Sequence, residues 1–320
     1  MEKRHRGWLG LFVGALVLSA CSSPAAPSDQ DPAENSDETD VISVSHKQGD
    51  TDVEKNPETV VVFDYGSLDT LQALDVDVAG TPKDNLPEAL QAYDSDSVEA
   101  VGTLFEPDYE AINALDPDLV IVGGRSAEAY TELSQHWPTI DLSVDFTSFL
   151  DDIHSSTETL GEIFGKEDQA AQALEELDSV VDDVKGIGSE AGPGMIVSTS
   201  GGEVTVYGED SRFGIIHTVL DVPQAVNDVE ALPHGEVISF EMIRDTNPDW
   251  LFVNDRDAAI GESGESARAI LDNELVHATT AWEQDQVVYL DAQRWYIIMS
   301  GVDNAKEMFT EIGEALKDAQ

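Results

Sequence analysis

The sequence predicts an α/β protein of two Rossmann-like lobes, each built on a mostly parallel sheet, joined by one long α-helix. Three observations carry this. Short β-branched runs alternate with stretches of helical spacing, as parallel βαβ units require. A block at 110–125, "EAINALDPDLVIVGGR", returns at 241–256 as "EMIRDTNPDWLFVNDR". Between the copies lies one long polar-apolar stretch that neither glycine nor proline interrupts from Lys166 to Lys185.

Taken in order, "TVVVFD" at 59–64 reads as a buried strand, "SLDTLQAL" as a helix and "VDVAGTP" as a second strand and turn. "DLVIVGG" at 118–124 is a further buried strand. Residues 148–186 form the linking helix, with Ile163, Ala170, Leu174, Leu177, Val181 and Val184 recurring at roughly helical spacing, and "GIGSEAGPG" at 186–194 stops it. Strands then resume in "MIVSTS", "EVTVYG", "WLFVND" and "VVYLD". The boundaries are therefore 57–147 for the first lobe, 148–186 for the linker and 187–320 for the second lobe.

The chain carries 65 acidic and 16 basic residues. Such acidity excludes nucleic acid as a partner by simple repulsion. It is spread along the whole chain, so it reads as surface solvation, a pattern that suits a saline habitat. Against that background a basic side chain is scarce, and Arg256 stands between Asp255 and Asp257 just where an apolar run ends. The repeat gives it a partner: Arg125 closes the first copy as Arg256 closes the second. In open α/β sheets ligands sit beyond the carboxyl ends of the strands, so the two arginines face one cleft as an anion clamp.

Residues 1–20 read as a signal peptide, with a basic start, an apolar core too short for a comfortable span, and "LSAC" at 18–21. That ending resembles the lipobox of bacterial lipoproteins, which implies lipidation of Cys21, the sole cysteine of the chain. Residues 21–56 are rich in Ser, Pro, Asp, Glu and Gln and read as a disordered acidic tether. The expected location is the outer face of the cytoplasmic membrane, held by lipid, extracellular in a Gram-positive bacterium.

A secreted hydrolase is the rival class, but the catalytic motifs fail. "GESGES" at 261–266 is not G-x-S-x-G, "GIGSEA" at 186–191 follows a helix and not a strand, and no HExxH occurs. The chain is expected not to be an enzyme.

Several stretches together resemble the iron-siderophore substrate-binding lipoproteins of ABC importers, in their catecholate and petrobactin branch. They include "VVVFDYGSLDTL", "GTPKDNLP", "EPDYEAINALDPDLVIVGGR", "SRFGIIH", "LPHGEVISFE", "NPDWLFVNDR", "AILDNELV" and "YLDAQRWY". The resemblance covers 57–320 and implies the class III substrate-binding fold, a ferric catecholate-type siderophore as transported ligand and no intrinsic cofactor. It also implies a monomer that works with a permease and its ATPase. Three ligand-holding arginines fall on Arg125, Arg212 and Arg256, with Lys83 and Arg294 as further basic candidates. Guanidinium suits a polyanionic chelate because it stays charged and presents a planar fork of donors. Members that take tetradentate ligands complete the iron shell with a histidine and a tyrosine, which fall on His234 and Tyr296. One acidic residue per lobe docks the permease, here Glu110 and Glu241. Arg294 before "WY" and "IIMSG" in place of a glycine-rich turn depart from the pattern. A haem, cobalamin, hydroxamate or citrate receptor of the same fold is the alternative.

Overall fold

A computed structural model describes residues 40–319 apart from Ala231 and Pro233. The expected signal peptide and Cys21 lie outside the described residues. The first lobe holds strands β3 (Val60–Val62), β4 (Gly80–Thr81), β5 (Glu99–Ala100), β6 (Leu119–Val122) and β7 (Thr139–Asp141). They form one sheet in the order β5-β4-β3-β6-β7, every pair parallel. The second lobe holds β8 (Gly194–Ser200), β9 (Glu203–Tyr207), β10 (Glu236–Ile238), β11 (Trp250–Asp255) and β12 (Val287–Tyr289). Its order is β10-β9-β8-β11-β12. Here β8, β11 and β12 are parallel, whereas β9 runs antiparallel to both β8 and β10. Strands β3, β6 and β11 are apolar on both faces because helices cover both sides of each sheet.

The sequence repeat is a structural repeat. Helix Tyr109–Leu115 starts at the cap residue Asp108 and ends at Asp116 in left-handed backbone, φ 49 and ψ 63. Helix Phe240–Thr246 starts at the cap residue Ser239 and ends at Asn247, φ 49 and ψ 59. Asp and Asn tolerate that conformation better than other side chains with a Cβ. Pro117 and Pro248 follow and prevent the helix from continuing, and the chain enters β6 or β11. Both strands occupy the fourth place in their sheets.

Residues 148–186 are two helices, not the single one expected. Phe149–Ile163 ends at Gly165, which takes φ 60, and Glu167–Gly188 then runs for 22 residues. Gly161 fits only because it has no side chain, since a Cβ there would meet that of Ala170 at 2.8 Å. The final helix, Val302–Asp318, packs along Glu167–Gly188 and also against Tyr65–Ala73 of the first lobe. One apolar core runs through these helices into both lobes, from Leu68 and Ile153 to Leu177, Phe213 and Phe309. Two smaller clusters fill the opposite face of each sheet.

A second correction concerns the tether. Within 21–56, residues 41–54 form a hairpin, β1 (Val41–His46) paired with β2 (Gly49–Glu54). Val44 and Val53 are buried, at 5% and 1% exposure. Gln48 Nε2 donates to Asp141 and Thr51 Oγ1 to the Thr139 carbonyl, which fastens the hairpin along the edge strand β7.

Where the last helix begins, the backbone N–H of Asn304 donates to the Asp69 carboxyl at 2.9 Å. Gly301 sits at φ 93, and a Cβ there would lie 2.5 Å from Asp69 Oδ2. Burial, with Asp303 nearby, pushes the Asp69 carboxyl up to about 7. The folded state thus keeps a proton that the unfolded chain has lost above the ordinary carboxyl range. Stability from this group is therefore full at acidic pH and drains away as pH rises toward 7. Asp69→Asn, which keeps an acceptor for Asn304, is expected to raise stability at pH 8 by about 1–3 kcal/mol and far less at pH 4. Thermal melts at the two pH values check this; an equal effect at both would mean that Asp69 does not titrate in that window.

Candidate functional site

Tyr296 lies in a widened turn of π type, Gln293–Ile298, which joins β12 to the last helix. Such turns put an extra residue into a helical path and frequently mark functional positions. Three guanidinium groups stand around its ring: Arg212 at 4.6 Å from the centroid, Arg125 at 5.7 Å and Arg256 at 5.8 Å. The structure brings the three expected arginines and the expected tyrosine together.

Each arginine arrives by a different route. Arg125 follows β6, where Gly124 turns the chain at φ 51 and its N–H donates to Ser143 Oγ. Its guanidinium then reaches the second lobe and donates to the carbonyls of Tyr296 and Ile297, the latter at 3.0 Å. Arg212 follows β9 in a turn held by Ser211 Oγ, which donates to the Gly208 carbonyl at 2.6 Å. It contacts Met299 Sδ and lies over the rings of Tyr296 and Phe213. Among the described residues Arg212 makes no ion pair with its neighbours Glu209 and Asp210, and Glu209 accepts from Gln224 instead. Arg256 follows β11; its Nε donates to Tyr296 Oη and its Nη1 to Ser200 Oγ, both at 3.0 Å.

The electrostatics differ among the three. Burial holds Arg125 below the usual guanidinium value, and the like charge of Arg212 adds to the effect. Burial also lowers Arg212. Arg256, nearer solvent, is raised above the ordinary value, chiefly by its bond to Tyr296. Arg125 and Arg212 line a cleft between the lobes, with Asp64, Tyr65, Phe146 and Ile298 among its walls. Asp64 is a carboxyl inside a cationic cleft; burial pushes it up, and it accepts from the N–H and hydroxyl of Ser67.

The remaining expected residues do not join the cluster. Lys83 Nζ donates to the Ser95 carbonyl at 2.8 Å and stands 3.9 Å from Asp94. Arg294 bonds Asn304 Oδ1 at 3.4 Å and stands 3.9 Å from Asp291, so it belongs to the network around Asp69 and not to the cleft. His234 is exposed in the turn before Gly235. Gly235 itself, at φ 72, lies so close to Tyr207 that a Cβ would come within 2.9 Å of the ring. Glu110 and Glu241 are both exposed in the first turns of the two repeated helices. Among the described residues no group of three or more His, Cys, Asp and Glu side chains is gathered as a metal site. No described helix is long and apolar enough to cross a membrane.

Sequence reasoning missed Asp64, which lines the cleft, and Ser200, which accepts from Arg256. Asp64 had a usable signal, since it ends "TVVVFD" at the carboxyl end of a strand. Ser200 ends β8, and nothing local in the sequence marks it as a partner of Arg256.

Comparison with known proteins agrees with this architecture. Residues 60–294 match the family described as periplasmic binding protein. The petrobactin-binding protein YclQ of Bacillus subtilis is 39% identical over 96% of both chains. Its crystal structure superposes with a TM-score of 0.83, covering 87% of this chain and 99% of that one. The ferric-anguibactin-binding protein FatB of Vibrio anguillarum is 32% identical over 86% of this chain and 87% of its own. The periplasmic catecholate-siderophore binding protein VctP of Vibrio cholerae matches with a TM-score of 0.81 at 32% identity, covering 85% and 99%. All of these relatives are named as binding proteins, none as an enzyme. With two α/β lobes, a cleft between them and a family match over most of its length, the chain belongs to the periplasmic binding protein family.

Proposed function

We propose that this protein captures a ferric siderophore of the catecholate type and delivers it to an ABC importer for iron uptake. The observation that carries the reading is the set of three guanidinium groups, drawn from both lobes, around the ring of Tyr296. Clustered cations cost free energy unless an anion completes them. A ferric catecholate is a compact polyanion whose oxygens accept several hydrogen bonds, and charge-assisted bonds to it contribute about 1.5–3 kcal/mol each. Relatives named for petrobactin, anguibactin and catecholate siderophores support the same ligand class.

In this reading Arg125, Arg212 and Arg256 bind the chelate. Tyr296 offers a hard oxygen donor to Fe(III) when the ligand leaves iron positions open. His234, in an exposed turn beside a glycine, supplies the second donor by swinging inward. Lipid at Cys21 tethers the protein to the outer face of the cytoplasmic membrane. Glu110 and Glu241, at matching places on matching helices, meet a pseudo-symmetric permease.

Titration of tryptophan fluorescence with ferric bis-catecholate, petrobactin, enterobactin, a ferric hydroxamate and ferric citrate tests the ligand class. Saturable quenching by the catecholates is expected, and preference for hydroxamate or citrate would overturn the reading. Arg256→Ala should weaken ferric bis-catecholate by about 1.5–3 kcal/mol; a folded variant of unchanged affinity would remove Arg256 from the site. Tyr296→Phe should shift the charge-transfer band of a tetradentate complex and spare that of a hexadentate one. Identical spectra for wild type and variant would show that Tyr296 is not a ligand. The double change Glu110→Lys, Glu241→Lys should leave chelate affinity intact and abolish iron uptake in cells. Normal uptake would exclude these two residues from docking.

A further inference from the structure

Arg256 is the arginine least held by burial, yet it is the one bonded to the Tyr296 hydroxyl, and what aims it is an acid. Its two flanking aspartates have separate tasks. Asp255 caps the short helix Arg256–Ala259, accepting from the N–H of Ala258 at 3.0 Å and of Ala267 at 2.8 Å, so both its oxygens are turned away from Arg256. Asp257 is buried, at 6% exposure, although its neighbour Arg256 is not. One oxygen, Oδ2, accepts from the Gly201 N–H at 2.8 Å. The other, Oδ1, accepts from Ser200 Oγ at 2.9 Å and stands 3.9 Å from Arg256 Nη1.

Ser200 Oγ therefore gives its hydrogen to Asp257 and uses a lone pair for Arg256 Nη1 at 3.0 Å. This fixes the direction of the chain of bonds: Asp257 accepts from Ser200, which accepts from Arg256. With Nη1 fastened there, Nε is left facing Tyr296 Oη. The phenol oxygen accepts from the guanidinium, so its own hydrogen points elsewhere. Gly264 lies against the carboxylate closely enough that a Cβ would come within 2.9 Å of Oδ2, which walls this side of Asp257.

We propose that Asp257 and Ser200 are positioning residues for the ligand site, which orient Arg256 and through it the hydroxyl of Tyr296. The proposal rests on the reading of the cleft as a ferric-chelate site. It makes an unusual demand, because a carboxylate beside an anion site should, by charge alone, weaken anion binding. The two effects have opposite signs, and the experiment reads the sign.

Affinity for ferric bis-catecholate is measured for the wild type, Asp257→Asn, Asp257→Ala, Ser200→Ala and Arg256→Ala, and for Asp257→Ala combined with Arg256→Ala. Circular dichroism and thermal melts confirm that each variant folds. If Asp257 positions Arg256, the Asp257 and Ser200 variants each lose roughly 5–20-fold in affinity. Adding Asp257→Ala to Arg256→Ala then changes affinity by less than about twofold, since the two act as one unit. Ser200→Ala removes no charge, so a loss there reports geometry alone. The Tyr296-dependent visible band should shift in Asp257→Ala as well, a readout that mere loss of stability would not move. Unchanged or tighter binding in the Asp257 variants overturns the proposal and leaves the ferric-chelate reading standing. A wild-type protein that binds no catecholate chelate overturns both.

Discussion

Three guanidinium groups around one phenol ring are the constraint on which the rest of this structure depends. Like charges gathered around one ring in a partly buried site repel one another, and the charge of Arg212 helps to lower the pKa of Arg125. Such a cluster persists only if each member is held by something other than its neighbours. Arg125 is held by backbone carbonyls of the opposite lobe, Arg212 by stacking on Phe213 and Tyr296, and Arg256 by the Ser200–Asp257 pair. The arginines follow β6, β9 and β11, and their attachments come from β8, from Asp257 after β11, from Phe213 after β9 and from the turn before the last helix. The cluster therefore requires both lobes, in one relative placement. The helices at 149–163, 167–188 and 302–318 supply that placement through a core shared by both lobes.

The repeat accounts for two of the three arginines, and the way the lobes differ accounts for the third. Where the sheets correspond, β6 is followed by Arg125 and β11 by Arg256. Where they differ, the first lobe continues with parallel β4, whereas the second folds back as antiparallel β9. Beyond that hairpin the chain supplies Arg212, whose guanidinium lies over the rings of Tyr296 and Phe213. It also brings Ser200 and Gly201, at the hairpin turn, beside Asp257. This departure from symmetry thus supplies both the extra cation and the support for Arg256.

What the sequence disclosed follows the same division. The lobes, the repeat and the strand-end arginines were legible because burial writes itself as apolar runs and the repeat as matching letters. The hairpin at 41–54 was hidden by its composition, since only Val44 and Val53 are deeply buried among polar residues. The break at Gly165 was missed because the apolar spacing continues across it while the backbone does not. Arg294 illustrates a harder limit. Its basic character and its place beside Trp295 and Tyr296 suggested the cleft, but the π-type turn sends it toward Asn304 and Asp291. Side-chain direction in such a turn depends on its extra residue, which no periodicity predicts. Met299, at φ 64, closes that turn in a conformation usually left to glycine. Its sulfur touches Arg212, which is a use for a side chain at a position where glycine would offer none.

The acidity of the chain bears on the site in two distinct ways. Most of the 65 acidic residues act at long range as a diffuse negative field, which salt screens beyond about 8–10 Å. The few acids near the cleft act by contact. Asp255 spends both oxygens on backbone N–H groups, and Asp64, buried at a helix cap with Ser67 donating to it, is pushed upward in pKa by that burial. Asp257 faces its arginine through a serine, so that its charge is expressed as orientation more than as neutralisation. A cation between two aspartates looks quenched in the sequence. In the fold one aspartate is committed to backbone N–H groups and the other meets Arg256 chiefly through Ser200, so neither aspartate closes on the guanidinium at hydrogen-bond distance.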